Sequence, residues 1–182
     1  MRPVLGSLTT VPALERPDLL AGPVARALAS LALPADQVLV AEIDPALADT
    51  AAFCERYGVR LEQSANCVVV AGRRGETTTL AACVVLATTR ADVNGVVRRR
   101  LDARKASFAP MSTAVEASGM EHGGITPVGV PDGWPVLVDS AVLEQAWVVV
   151  GSGLRRSKLV LPGAVLATLP HAEVLEGLGV AG

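Results

Sequence analysis

Apolar positions in this chain fall mostly into short β-branched blocks cut by glycine, proline and charge, with helical spacing confined to a few stretches between them. The blocks Gln37–Ile43, Ala65–Ala71, Thr77–Thr88, Pro135–Val138, Ala146–Val150 and Lys158–Leu161 read as strands, and Lys105–Phe108 as a shorter one. The turn at Gly72-Arg73-Arg74-Gly75 makes a hairpin of the second and third blocks, with a loop longer than two residues. Pro131-Asp132-Gly133 is a turn by composition.

Helix signals are local. Asp44-Pro45 pairs an N-cap with a proline at the first helical position, predicting a helix to Gly58 that buries Leu47, Ala51 and Cys54. Asp92 caps a second, whose Val93, Val96, Val97 and Leu101 share a face opposite Arg98–Arg100. Thr113 and Glu116 have capping-box spacing for a short helix stopped by Gly119. Pro162 opens a last helix to Leu169, before a final segment at Ala172–Leu175. Residues 1–36 hold an amphipathic stretch in which Val24, Leu28 and Leu31 follow Pro23 at helical spacing.

Because the strands cluster without regular strand–helix alternation, the expected class is α+β: a twisted mixed β-sheet curled into a barrel-like core with peripheral helices. The length of 182 residues suits one domain, residues 37–182, with residues 1–36 as a partly helical N-terminal extension.

Composition narrows the function classes. Apolar content is 51% with a mean hydropathy of +0.43, yet charge, proline or glycine cuts every apolar run before the ~18 residues of a membrane helix. With no secretory leader after Met1-Arg2-Pro3, the expected address is the cytoplasm. Cys54, Cys67 and Cys83 are odd in number and lack metal or redox spacing, so neither a disulfide nor a zinc site is expected, and no cofactor is implied. A net charge of −2 makes no global case for nucleic acid, but Arg98-Arg99-Arg100 with Arg104-Lys105, and Arg155-Arg156 with Lys158, are local basic clusters. At 3% aromatic content, any RNA contact falls on phosphates and a terminal nucleotide, not on a row of stacked bases.

The segment Gly119-Met120-Glu121-His122-Gly123-Gly124-Ile125-Thr126-Pro127-Val128-Gly129 concentrates backbone constraints. Gly123 and Gly124 lack the Cβ atoms that would hold a ligand off the main chain, and Pro127 drives Thr126 toward extended geometry. Such a loop either presents amides to an anion or oxyanion or is a plain inter-strand turn.

Downstream stand Pro135-Val136-Leu137-Val138-Asp139-Ser140 and Trp147-Val148-Val149-Val150-Gly151-Ser152-Gly153-Leu154-Arg155-Arg156-Ser157-Lys158. This order of glycine loop, strand ending in Asp and strand ending in a glycine turn resembles the YbaK-like aminoacyl-tRNA deacylase family, which includes prolyl-tRNA synthetase-associated editing domains. The resemblance runs from about residue 37 to the C-terminus and is strongest over Gly119–Leu161. Asp49-Thr50-Ala51-Ala52 and Asn66-Cys67-Val68-Val69-Val70 are similar to the family's first helix and first catalytic strand.

The resemblance implies hydrolysis of a mischarged aminoacyl-tRNA by water, with a small amino acid such as alanine or cysteine on the tRNA for proline. It implies catalytic positions at Gly123, Gly124, Ile125, Pro127 and Asn66, and substrate contacts at Thr126, Asp139, Gly151, Ser152, Arg155 and Arg156. The implied partners are the acceptor end of aminoacyl-tRNA and an aminoacyl-tRNA synthetase, with no metal and no membrane. Asp139 has a second reading as the N-cap of a helix over Ser140–Glu144. Strand parity puts Val68, Val70, Val128 and Leu137 on the pocket wall. The family's strand lysine is replaced by Asn66, which donates a hydrogen bond but supplies no charge. The alternative function is therefore an aminoacyl-tRNA-binding module with weakened or no turnover.

Overall fold

The computed structural model describes residues 2–182. Its strands are β1 (Thr10–Pro12), β2 (Leu39–Glu42), β3 (Ala65–Arg74), β4 (Thr77–Leu86), β5 (Thr89–Ala91), β6 (Lys105–Phe108), β7 (Val136–Asp139), β8 (Val148–Gly151), β9 (Ser157–Leu161), β10 (Ala172–Leu175) and β11 (Gly179–Ala181). The α-helices are α1 (Gly22–Leu31), α2 (Thr50–Tyr57), α3 (Arg98–Arg100), α4 (Met111–Ser118) and α5 (Ser140–Leu143). None of the described helices is long and apolar enough to cross a membrane.

The strands form an antiparallel sheet β1-β2-β9-β8, a mixed sheet β10-β7-β4-β3-β6 and a two-stranded ribbon β11-β5. In the mixed sheet β3 runs antiparallel to β4 and β6, while β7 runs parallel to β4 and β10. The class is thus α+β with several sheets, and among the described residues they do not close into a barrel. The two larger sheets meet at the bridge Ser64↔Val149. β4 flanks β3 along its whole length, but β6 pairs only with Val70–Arg73. Beyond β6 the Ala109 amide still caps the Val69 carbonyl at 2.9 Å, so it is the Ala65–Val68 stretch of β3 that has an open edge near β8, and this seam is where the candidate site forms.

Period-two alternation explains the core. On β9, Leu159 and Leu161 join the central cluster while Val160 joins a second one with Leu39 and Phe53. On β7, Val136 and Val138 face the central cluster, and Leu137 faces a third with Val70 and Cys83. The N-terminal segment is packed into the same interior: Leu19, Leu20, Val24 and Leu28 are buried in the central cluster, and β1 pairs with β2.

Several local expectations are corrected. The hairpin turn is the two-residue Gly75-Glu76, with Arg74 opposite Thr77. Gly75 takes φ +61°, whereas Gly72 lies within β3, where a Cβ would sit 2.9 Å from Leu101 Cδ1. Gly72 thus marks close packing and not a turn. The helix expected over residues 45–58 splits into a 3₁₀ turn at Pro45–Leu47 and α2; Asp44 accepts from the Ala46 amide at 2.9 Å. The split rotates the buried face onto Phe53 and Cys54, leaving Ala51 exposed. α4 begins after Pro110 with no side-chain cap, so Thr113 and Glu116 form no capping box; Gly119 ends it at φ +69°. Pro162 leads into a 3₁₀ helix, Gly163–Thr168, and Ala172–Leu175 is β10.

Removing residues 1–36 takes six buried side chains from the central cluster, of which the four larger ones, Leu19, Leu20, Val24 and Leu28, are worth about 1.5–3 kcal/mol each. The truncated protein is expected to lose its cooperative thermal transition. A transition within a few degrees of the full chain's would show residues 37–182 to be self-sufficient.

Candidate functional site

A cavity of about 440 Å³ opens where β6 stops covering β3. One wall is Asn66, Cys67 and Val69 of β3, another is Ala48–Thr50, and a third is Phe108, Met111 and Ala114. His122, Gly123 and Ile125 of the glycine loop line it, as do Gly151 at the end of β8 and Lys158 on β9.

The loop is held by its own backbone. Gly124 N–H donates to the Glu121 carbonyl (2.9 Å), Glu121 N–H to the Gly153 carbonyl (2.9 Å) and Gly153 N–H to the Gly124 carbonyl (2.7 Å). A Cβ on Gly124 would lie 2.7–2.8 Å from Leu154 backbone atoms, and one on Gly151 would lie 2.6 Å from the Gly124 carbonyl oxygen. These glycines let two chain segments touch. Arg155 adds a clasp: its amide donates to Glu121 Oε1 (3.0 Å), Nη1 to the His122 carbonyl and Nη2 to the Pro45 carbonyl (both 3.1 Å).

The loop amides are consequently unequal. That of Gly124, one of the three expected to face an oxyanion, is spent on Glu121. Those of Gly123 and Ile125 have no partner among the described residues and belong to residues lining the cavity. Gly123 holds φ +79°, a left-handed geometry that favours glycine.

The other expected positions divide into two groups. Asn66 and Gly151 line the cavity. Thr126 is wholly buried, its Oγ1 lacks a partner, and its amide points to Met120 Sδ at 3.5 Å. Pro127 lines a separate hollow with Ala27, Leu31 and Leu169. Asp139 lies outside the cavity, against the Leu178 and Gly179 amides; burial raises its pKa above the ordinary carboxylate range against those amide donors. It stands at the N-cap position of α5 without a side-chain cap bond. Ser152 is fully buried, 2.7 Å from Ser157 Oγ, and Arg156 donates to the Asp18 carbonyl. The Ser152 hydroxyl closes the 151–157 turn on itself, and Arg156 ties that turn to the N-terminal segment. Of the wall residues expected from parity, Val68 lines the cavity, while Val70, Val128 and Leu137 are core.

A profile of the aminoacyl-tRNA editing domain matches residues 44–169, which contain the loop, the open edge of β3 and the 151–158 turn. The chain belongs to that family. The resemblance to YbaK-like deacylases thus holds. A crystal structure of a candidate trans-editing enzyme for prolyl tRNA synthetase superposes with a TM-score of 0.73 at 21% identity, covering 89% of this chain and 97% of that one. A structure of the hypothetical protein APE2540 gives 0.74 at 19% identity over 87% and 99%. At these identities the likeness carries the fold. No curated protein sequence matches the chain.

Within this editing domain, two polar side chains bring donors to the cavity, Asn66 as expected and Lys158 beyond the expected set. Asn66 Oδ1 accepts from Thr50 Oγ1 at 2.6 Å, which orients the amide and leaves Nδ2 as a donor. Lys158, outside the expected site set, reaches the cavity from β9 and donates to the Ala48 carbonyl at 3.0 Å. Burial lowers its pKa below the ordinary lysine range. The signal in the sequence is that Lys158 and the exposed Lys105 are the chain's two lysines.

Cys67 also lines the cavity, but burial, with Cys83 beside it, raises its thiol pKa well above the ordinary value. The thiolate fraction near neutrality is then far below that of a free cysteine. Cys67→Ser is expected to keep deacylase activity within about twofold, and wild-type Cys67 to label slowly with iodoacetamide at pH 8. Rapid labelling with parallel inactivation would identify a nucleophile instead.

Proposed function

We propose that this editing domain, assigned to residues 37–182 with residues 1–36 as a supporting extension, hydrolyses the ester of a misacylated tRNA. The observation that carries this reading is the pair of unpartnered amides, Gly123 and Ile125, on residues lining a cavity large enough for a small aminoacyl ester. The ester carbonyl oxygen lies toward these amides and Asn66 Nδ2 orients the acyl group. The ester's α-amino group falls to Asp49, the one carboxylate lining the cavity. A water adds to the carbonyl carbon, and the oxyanion is met by main-chain donors fixed in advance. The intermediate then breaks its bond to the ribose oxygen, which takes the water's proton; free amino acid and tRNA leave.

Val69, Ala114, Met111 and Ile125 give the acyl side chain a small apolar enclosure. Alanine or cysteine on the tRNA for proline fits this enclosure and the family precedent. One methylene in an apolar pocket discriminates by only about 1–3 kcal/mol, so small amino acids are where a second sieve is needed.

The acceptor-stem phosphates are assigned to the β3–β6 end of the mixed sheet. Arg73, Arg99, Arg104 and Lys105 are exposed there and form no ion pair with the described residues. Arg73 shares a strand face with Val69 in the cavity, four residues or about 13 Å away. Arg155 and Arg156, committed to internal carbonyls, are poorly placed for this task.

The test is deacylation of a panel of mischarged tRNAs, in which Gly123→Ala is expected to lower the single-turnover rate by about 10²-fold, the cost of a disturbed oxyanion donor. Tight tRNA binding with no hydrolysis of any ester would favour the binding-module reading suggested by Asn66. The triple variant Arg99→Ala, Arg104→Ala, Lys105→Ala is expected to weaken tRNA binding uniformly across sequences and flatten its salt dependence by about two to three charges. An unchanged slope would move the RNA path elsewhere.

A further inference from the structure

Lys158 is the one lysine or arginine among the residues lining the cavity, and β9 places it there by register. It stands opposite Gly151, whose missing side chain leaves the Gly124 and Ile125 carbonyls in contact with β8. On that strand face the neighbouring apolar residues belong to the Phe53 cluster, and the ammonium lies 5.3 Å from the Phe53 ring centroid. The stem is packed on the core while the head emerges beside Ala48.

The head is poorly satisfied for a buried cation. An ammonium carries three donors, and one is used, on the Ala48 carbonyl. No carboxylate of the described residues lies within ion-pair distance. A charge kept in a half-closed pocket without a counter-ion costs free energy unless a ligand supplies the missing acceptor.

The ligand's chemistry follows from depth. Terminal phosphates of a tRNA remain at the mouth, in water, whereas the aminoacyl ester enters the enclosure. The group there that gains negative charge during hydrolysis is the carbonyl oxygen. Lys158 also converges with Asn66: its Nζ binds the carbonyl of Ala48, and Asn66 binds Thr50 two residues further on. Both polar heads belong to the 48–50 wall.

We propose that Lys158 is the cationic substrate-binding residue of this site, donating to the ester carbonyl oxygen of the aminoacyl group and to the oxyanion formed from it. The assignment rests on the editing reading and moves the positive charge from β3, where the chain has Asn66, to β9.

Two measurements test it. In single-turnover deacylation, Lys158→Met is expected to slow hydrolysis by about 10²-fold or more, and Lys158→Arg to retain most of the rate. In wild-type protein, an amide-linked alanyl-adenosine analogue is expected to slow acylation of Lys158 by an amine-selective reagent at least about tenfold, the occlusion expected of a charge-assisted contact. Lys105 serves as the exposed internal control. Full activity of Lys158→Met overturns the assignment and leaves the editing reading intact. Protection of Lys158 in a protein that hydrolyses no mischarged tRNA sustains the assignment as a binding role while the turnover reading fails. Neither protection nor hydrolysis removes both. Should Lys158→Met not fold, the labelling of wild-type protein decides.

Discussion

The site depends on a contact between two stretches of main chain. Glu121–Ile125 and Gly151–Leu154 exchange two backbone hydrogen bonds and abut at distances that leave no room for a Cβ on Gly124 or Gly151. Side chains could not make this contact, because the approach itself is the interaction. It satisfies the Gly124 carbonyl, while the Gly124 amide is spent within the loop on Glu121, and it leaves the flanking amides of Gly123 and Ile125 free beside the cavity. Since interiors are close-packed, displacing one segment by a methyl group would move the other.

The cavity is a consequence of incomplete sheet pairing. β6 covers only the far half of β3, and the two larger sheets meet at the Ser64↔Val149 bridge. Between these points the Ala65–Val68 edge is unpaired on one side, so a seam remains. A continuous ladder would seal it. The loop, the 48–50 segment and α4 enclose the seam without filling it, leaving a compartment that is apolar on most sides and carries main-chain donors on one. An ester, already activated relative to an amide, suits such sparse machinery.

Charge is divided between structural and available roles. Arg155 and Arg156 hold the glycine loop and the N-terminal segment through carbonyl oxygens, so neighbouring basic residues in the sequence serve the fold. Lys158, two residues beyond Arg156, is left with donors to spare. The exposed cations at the β3–β6 end give a protein of net charge −2 a local positive face. Net charge sets solubility and long-range repulsion; local arrangement decides what binds.

The α+β class, most strands, the stop at Gly119 and the importance of the glycine loop were legible in the sequence. They follow from period-two burial and from backbone geometries that few residues adopt. Asn66 at the cavity was legible too, through the family pattern on β3. What the sequence left open was which groups are already spoken for. Whether Gly124 N–H, Ser152, Arg156 or Asp139 meets a ligand or another part of the chain depends on partners up to 138 residues away, as for Arg156 on Asp18. The same holds for Lys158, whose neighbours in sequence are strand residues and whose neighbours in space are Ala48 and Phe53. Local pattern determined what each segment is; only tertiary packing decided which polar groups remained free, because a hydrogen-bonding group is consumed by whatever the fold brings beside it.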